Sequence, residues 1–449
     1  MDAVDLGFLT ADEFVTRRSQ TLIDNPGAKL NESYEIDQYH SKLNTEYRSE
    51  ISLLAQLKAR PSLKDVRIIV TVIASREGSR IRHTLNTYVK QDLAHTQFEV
   101  IVLDNHKSDV TPDNTRSEIE KFQQDNPDIT LIYAQKIWQP DEIATVGNAR
   151  KYVFDMALSR IQARGTNHKD TIIISNDADT IDNDANYLSS ILNKFDSDGY
   201  VEALVTPTGV PLNNIRKPNV YAALYLWDAL DNVIADNAPR NLIGRSSAYR
   251  ASMYAAVGGY NARGKMAGDL ETGFLIADAR GWDPHSVILF TGTKQVTDPR
   301  RVLESVASRI PINEMYYKFV SSPEVRDADN DELLGMIPDS LDWELFEEDA
   351  DNFWDGGDTG MYKWRGDRFE KDFRTAMDNI GAEYRIEGNR LYLTNIDKLI
   401  SNYEKEFGNR PEIIHSQRRA PDKARRKAIK QFFLAVSDTA IECRKRLAD

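Results

Sequence analysis

The chain has 449 residues, 57 Lys and Arg against 70 Asp and Glu, a formal net charge of -13, 41% hydrophobic and 28% charged residues. Its acidity argues against general nucleic-acid binding, and its lone cysteine, Cys443, excludes an internal disulfide. No apolar run nears the ~18 residues of a membrane span, and Asp2, Asp5, Asp12 and Glu13 do not fit a signal or transit peptide, so a cytoplasmic protein is expected.

Residues 1–65 are polar and read as a helical arm. Within it the stretch Ile36–Arg60 carries Ile51, Leu54 and Leu57 at helical spacing and stops at Pro61. From Val66 the texture changes. Ile68, Ile69, Val70, Val72 and Ile73 within Arg67–Ala74 form a β-branched run, the mark of a strand buried on both faces. A helical pattern follows (Ile81, Leu85, Tyr88, Val89), then a strand over Phe98–Leu103 that ends in Asp104. Thr115–Gln124 reads as helix, Ile129–Tyr133 as strand and Asn148–Ile161 as helix. Thr171–Ser175 reads as strand, Tyr187–Phe195 as helix and Val201–Thr206 as a fifth strand. Strand and helix alternate with crossovers long enough for parallel pairing, which implies a doubly wound α/β sheet. The alternation is lost after about Pro311. From Glu324 to Asp358 there are 14 acids and one base, Arg326, interspersed with aromatics such as Trp343 and Trp354. From Arg418 to Lys430 there are seven bases and one acid, Asp422. Residues 421–447 read as a basic amphipathic helix, suited either to packing on the body or to peripheral contact with an anionic membrane. The expected organisation is thus a helical arm over 1–65, an α/β domain over 66–311 and a mainly helical region over 312–449.

Ligands of doubly wound sheets bind beyond the carboxyl ends of the strands, so residues there are the candidates for chemistry. Asp177-Ala178-Asp179 follows the fourth strand. Two carboxylates one residue apart suit a hard divalent cation, which would neutralise a diphosphate leaving group. Asp-x-Asp alone is weak, since Asp182-Asn183-Asp184, Asp327-Ala328-Asp329 and Asp349-Ala350-Asp351 also occur; its place after a buried strand singles the first one out. Asp104 ends the second strand, where it suits either a ribose or base contact or an Asx turn. Gly147-Asn148-Ala149-Arg150-Lys151 opens a helix, a place that favours anions. Gly258-Gly259-Tyr260 is followed by Gly268-Asp269-Leu270-Glu271, where Asp269 also suits an ordinary N-cap.

The ordered set Val70-Thr71-Val72-Ile73-Ala74-Ser75-Arg76-Glu77, Val102-Leu103-Asp104-Asn105, Gly147-Asn148-Ala149-Arg150, Asp177-Ala178-Asp179, Gly258-Gly259-Tyr260, Gly268-Asp269-Leu270-Glu271 and Arg280-Gly281-Trp282 resembles the family-2-type nucleotide-sugar glycosyltransferases with the GT-A fold, over about residues 66–302. The resemblance implies a mixed, mainly parallel sheet with helical N- and C-terminal extensions. It also implies a UDP- or GDP-sugar donor, a hydroxyl acceptor and Mn²⁺ or Mg²⁺. By position, Ala74, Arg76, Glu77, Asp104 and Arg150 would meet the donor, with Arg300 and Arg301 in a loop closing on its diphosphate. Asp177 and Asp179 would hold the cation and diphosphate, with His285 or Asp298 as a further ligand. Asp269 would be the general base of an inverting transfer, with Gly268 and Glu271 on the acceptor side. The sequence departs from the family at Gly268, where a Glu is usual, and at Arg76, where an Asn is usual. A nucleotidyltransferase and a non-catalytic nucleotide-sugar-binding scaffold are the alternatives from other classes.

Overall fold

The computed structural model describes residues 17–142, 144–165, 169–209, 246–262, 268–281, 285–307 and 330–337, with Val220, Asp283 and short pieces between 341 and 398. The basic helix expected over 421–447 and Cys443 lie outside the described residues, as do the aromatics of the acidic stretch. The chain divides into two compact units. Residues 3–207 and 238–295 belong to one, and residues 208–237 and 296–419 to the other. The division at Gln295 falls short of the expected boundary at 311, and it assigns Arg300 and Arg301 to the second unit.

In the first unit the described residues of the arm form a short helix (Gln20–Asp24) and two longer ones, α1 (Glu32–Ser41) and α2 (Thr45–Leu54). The continuous helical stretch expected from Ile36 is interrupted because Asn44 caps a new start, its side chain accepting from the Glu46 amide at 2.7 Å. The sheet is built by β1 (Ile68–Ala74), β2 (Phe98–Lys107), β3 (Leu131–Trp138), β4 (Ile172–Asp177), β6 (Ala203–Val205), β7 (Ser246–Arg250) and β8 (Val287–Leu289), in the order β3-β2-β1-β4-β7-β6-β8. A short strand β5 (Thr180–Asn183) follows the turn after β4. β1 pairs in parallel with both β2 and β4, and β2 with β3. β7 is antiparallel to β4 and β6, while β8 is parallel to β6. The result is the mixed, mainly parallel sheet that was expected.

The helices α3 (Arg80–Val89), α4 (Thr115–Asp125), α5 (Val146–Arg164) and α6 (Tyr187–Ser197) supply the crossovers, and the short α7 (Ala251–Ala256) follows β7. The apolar residues on one face of β1, β2 and β4 (Ile68, Val70, Val72, Val100, Val102, Ile172 and Ile174 among them) form one continuous core with Leu85, Tyr88, Ile119, Phe122, Leu188 and Phe195 of α3, α4 and α6. Each such fully buried side chain stabilises the fold by roughly 1.5–3 kcal/mol.

α5 is buried almost all round from Ala149 to Ile161 because it lies between the sheet and the arm. Its buried polar residues explain how a polar arm packs there. Asp155 accepts hydrogen bonds from Tyr39 and Tyr47 of the arm, both at 2.7 Å, and from Lys151. Burial and the neighbouring Asp155 carboxylate push both tyrosine hydroxyls well above their ordinary pKa, so both stay protonated donors. One turn on, Arg160 grips Glu99 of β2 with two parallel bonds of 2.6 and 2.8 Å, both side chains fully buried.

In the second unit, α9 (Arg300–Ala307) packs against α10 (Asn330–Met336). Asp298 accepts from the Arg300 amide at 2.8 Å and from Asn330, and the Arg300 side chain pairs with Glu304 at 2.9 Å. An antiparallel three-stranded sheet of Leu341–Asp342, Arg390–Leu393 and Tyr384–Glu387 adds β structure to a region expected to be mainly helical.

Candidate active site

β1 to β4 run parallel, so their carboxyl ends share one edge of the sheet, and the register fixes what meets there. Ala74 of β1 stands opposite Asp104 of β2, and Ile73 opposite Asp177 of β4. Asp104 and Asp177 therefore flank β1 on either side, two strand spacings or about 10 Å apart.

On the β2 side the strand does not end at Leu103. It continues through Asp104 to Lys107, paired with β3 to Trp138, so Asp104 is a strand residue and not an Asx-turn residue. Its side chain is buried and accepts from the Tyr133 hydroxyl at 3.0 Å. Burial raises the Asp104 carboxyl above its usual range, an effect that Tyr133's hydrogen bond and the nearby His106 only partly offset. Next to it, Asn105 donates to the Ala74 carbonyl at 2.8 Å and accepts from the Trp138 indole at 3.1 Å, which ties β3 to the end of β1.

The loop leaving β1 is held from below. The amides of Glu77 and Gly78 both donate to Thr115 Oγ1, at 2.9 and 2.8 Å. Ser75 and Arg76 are exposed and Glu77 is half-buried. Arg76 adopts φ 58° and Gly78 φ 52°. The left-handed region costs a residue with a Cβ roughly 1–2 kcal/mol, and Arg76 bears that cost on the rim of the edge. Glu77 pairs with Arg80 at 3.2 Å.

On the β4 side, Arg150 reaches from the first turn of α5 to Asp177, its guanidinium donating to Oδ1 at 2.9 Å. α5 starts at this point because Thr145 caps it, its hydroxyl accepting from the Asn148 amide at 3.1 Å. Asp177 closes β4, and Asp179 lies in the following turn. Both are half-buried, while Ala178 between them is packed inward. Two hard oxygen donors on a partly open turn fit a divalent cation by donor chemistry. Among the described residues there is no group of three or more His, Cys, Asp or Glu placed to hold a metal.

The structure brings Ala74, Arg76, Glu77, Asp104, Arg150, Asp177 and Asp179 to one edge, and it separates others from them. His285 is exposed and precedes β8. β8 runs in the direction of β4, so its start lies at the amino edge of the sheet, where His285 neighbours Asp198. His285 is thus removed from the Asp177–Asp179 ligand set. Arg300 and Arg301 open α9 of the second unit. Gly268 and Asp269 begin helix α8 (Gly268–Ala279), and the Asp269 side chain lies outside the described residues. Glu271 is buried on that helix.

Sequence reasoning missed two sets of residues. Arg17 donates to the carbonyls of Gly258, Gly259 (2.9 Å) and Tyr260 (3.1 Å). It thereby clamps a turn with φ +86° and +68° at its two glycines, in the segment leading towards α8. Nothing in an arginine pair of a polar arm signals this. Beneath the Asp177–Asp179 turn lie Thr84, Tyr88, Asn176, Thr180 and Gln295, all buried. Asn176 was legible as a polar residue at the end of a β-branched run; Gln295 carried no signal.

No family model matches this chain, and no curated protein matches it. Among solved structures it is similar to a mannosyltransferase, PcManGT, from Pyrobaculum calidifontis in complex with GDP-Man and Mn²⁺, at 13% identity over 91% of this chain and 98% of that one, TM-score 0.37. It is similar to S. aureus TarS 1–349 in complex with UDP-GlcNAc, at 12% identity over 85% and 92%, TM-score 0.35. A third is glucosyl-3-phosphoglycerate synthase from Mycobacterium tuberculosis with Mn²⁺, UDP and glucosyl-3-phosphoglycerate, at 14% identity over 55% and 75%, TM-score 0.31. At these scores the backbones overlap only in part, and what the carboxyl edge can do is decided by its own residues.

Proposed function

We propose that this chain is a glycosyltransferase that moves a sugar from a nucleoside-diphosphate sugar to an acceptor hydroxyl. The observation that carries this reading is the pairing of Arg150 with Asp177 at the end of β4, two strands from the buried Asp104. An elongated ligand lying across the end of β1 would meet a hydrogen-bonding carboxylate at one end. At the other it would meet a cation, Arg150 and the half-buried carboxylates of Asp177 and Asp179. This is the polarity of a nucleoside diphosphate, with ribose and base towards Asp104 and diphosphate towards Asp177. The three solved structures named above hold such donors or the released nucleotide, two of them with Mn²⁺.

In this reading Asp177 and Asp179 hold Mn²⁺ or Mg²⁺, which supplies positive charge to the diphosphate when bound. Arg150 adds a fixed cation on the same side, and its bond to Asp177 keeps the guanidinium aimed at the edge. Asp269, at the start of α8, takes the acceptor hydroxyl proton as general base. The acceptor oxygen bonds to the anomeric carbon as that carbon's bond to the diphosphate oxygen breaks, and the electron pair leaves with the nucleoside diphosphate. Attack from the opposite face inverts the anomeric centre.

Product analysis tests the reading. Incubation with UDP- and GDP-sugars, Mn²⁺ and candidate acceptors should release nucleoside diphosphate. Release of pyrophosphate from nucleoside triphosphate and sugar phosphate would instead establish nucleotidyl transfer. Metal-dependent donor binding with neither product would establish a scaffold. An Asp269→Asn variant with near-normal turnover would remove that residue from the base role. No helix among the described residues is long and apolar enough to cross a membrane; for a membrane role of 421–447, liposome co-sedimentation unchanged by deleting 421–449 would dispose of the idea.

A further inference from the structure

The Asp177–Asp179 turn rests on a buried polar mount. Asn176 folds its side chain back over the turn, and its Oδ1 accepts from the Asp177 amide (2.9 Å), Thr180 Oγ1 (2.7 Å) and Gln295 Nε2 (2.6 Å). Its Nδ2 donates to the Tyr88 hydroxyl. Gln295 Nε2 also reaches Thr180 Oγ1 at 2.6 Å. From α3, the Thr84 hydroxyl meets the carbonyls of Ala178 (2.7 Å) and Thr180 (2.8 Å), the two residues on either side of Asp179. Thr84, Tyr88, Thr180 and Gln295 are all fully buried and Asn176 is 1% exposed, whereas the side chains of Asp177 and Asp179 above them are half-buried.

The mount fixes the backbone on both sides of Asp179 and the amide of Asp177, the atoms that set the spacing and direction of the two carboxylates. A cation tolerates ligand distances within only about 0.2 Å, so a turn fixed before the cation arrives binds it better than one ordered by it. A plain core would bury this turn with apolar side chains. Here five buried polar side chains are bonded to one another and to the backbone of the turn, and such a network selects one geometry.

We propose that Thr84 is a positioning residue for a divalent-cation site at Asp177 and Asp179, acting with Asn176 and Gln295 through the turn and not by ligation. The proposal rests on the functional reading of those two carboxylates given above. It is tested by Mn²⁺ affinity, read by electron paramagnetic resonance from the free-ion signal. The titration is run with the metal alone and again with UDP or GDP, on the full chain. Wild type should bind Mn²⁺ and an Asp177→Ala/Asp179→Ala double variant should not; wild type failing to bind under any condition overturns the cation site itself and this proposal with it. Given wild-type binding, Thr84→Val removes the hydroxyl at nearly constant volume and should weaken Mn²⁺ by about 10–100-fold, the usual effect of losing an outer support. Thr84→Ser should restore affinity, because it returns the donor without the methyl group. Should Thr84→Val fail to fold, Gln295→Met is read in the same way. Mn²⁺ affinity unchanged in the folded Val or Met variant, or as weak in the Ser variant as in the Val variant, overturns the mount while leaving the cation site standing.

Discussion

Replacing Arg160 by Met tests how the helix that carries Arg150 is anchored. Arg160 and Glu99 are both fully buried and joined by bonds of 2.6 and 2.8 Å. Arg160 also donates to the carbonyls of Ala55 (3.0 Å) and Arg60 (2.7 Å), and Glu99 also accepts from the Leu63 amide at 2.9 Å. The Met variant leaves a buried carboxylate with one donor, which costs about 3–5 kcal/mol. Glu99→Leu strands the guanidinium, at a similar cost of about 3–5 kcal/mol. In the double variant neither charge remains. The leftover penalty is that of the unmet Ala55, Arg60 and Leu63 backbone groups, about 1 kcal/mol each, partly recovered by apolar packing. The double variant should therefore lose only about 2–3 kcal/mol, well short of the sum of the two single losses. Urea unfolding at pH 7, with midpoints and slopes for all four proteins, reads this directly. Additive losses would refute the reasoning, since they would mean that the two side chains do not hold each other in place.

Other expectations follow from the same contacts. Gly259→Ala would set a Cβ 2.9 Å from the Tyr39 hydroxyl and 3.0 Å from Tyr254 at φ +68°. The combined cost of a left-handed residue and overpacking is about 2–5 kcal/mol, so calorimetry should show a melting temperature lower by at least about 4 °C. Arg150→Ala should weaken donor binding by about 10–100-fold, the worth of a charge-assisted bond, in isothermal titration with the matching nucleotide. Equal affinities would take Arg150 out of the donor site. Burial alone would raise the Asp196 carboxyl, but bonds to Arg67 at 2.7 Å and Lys169 at 3.3 Å bring it below the ordinary aspartate value. Its contribution to stability is therefore complete above that value and lost as pH falls through the lower folded pKa. Asp196→Asn should be modestly less stable at pH 7 and show a shallower loss below about pH 4 in acid titrations followed by circular dichroism; parallel curves would contradict the pairing.

The parallel half of the sheet was legible because β1, β2 and β4 are runs of Ile and Val that cannot sit anywhere but between two helical layers. β7 was not, since Ser246-Ser247-Ala248-Tyr249-Arg250 carries no β-branched residue and owes its strand to pairing with β4 and β6. Arg150 and Asp177 could be singled out as candidates because a helix start and a strand end are where such sheets bind ligands; Asp104 reads in the sequence as a strand end, whereas β2 runs on to Lys107 through its pairing with β3. His285 misled because a lone histidine gives no sign of which edge of the sheet it occupies. The mount under Asp179 was hidden because Thr84 and Gln295 lie far from it in sequence, and only the folded chain joins them.

The most direct test of the central claim is a thermal-shift screen of UDP-, GDP- and other nucleotide-sugars with Mn²⁺ and Mg²⁺, run beside the Asp177→Ala/Asp179→Ala variant. The account predicts a metal-dependent rise in melting temperature with one donor class and no rise in the double variant. A well-folded wild-type protein that responds to no donor, or a variant that responds as wild type does, would contradict it.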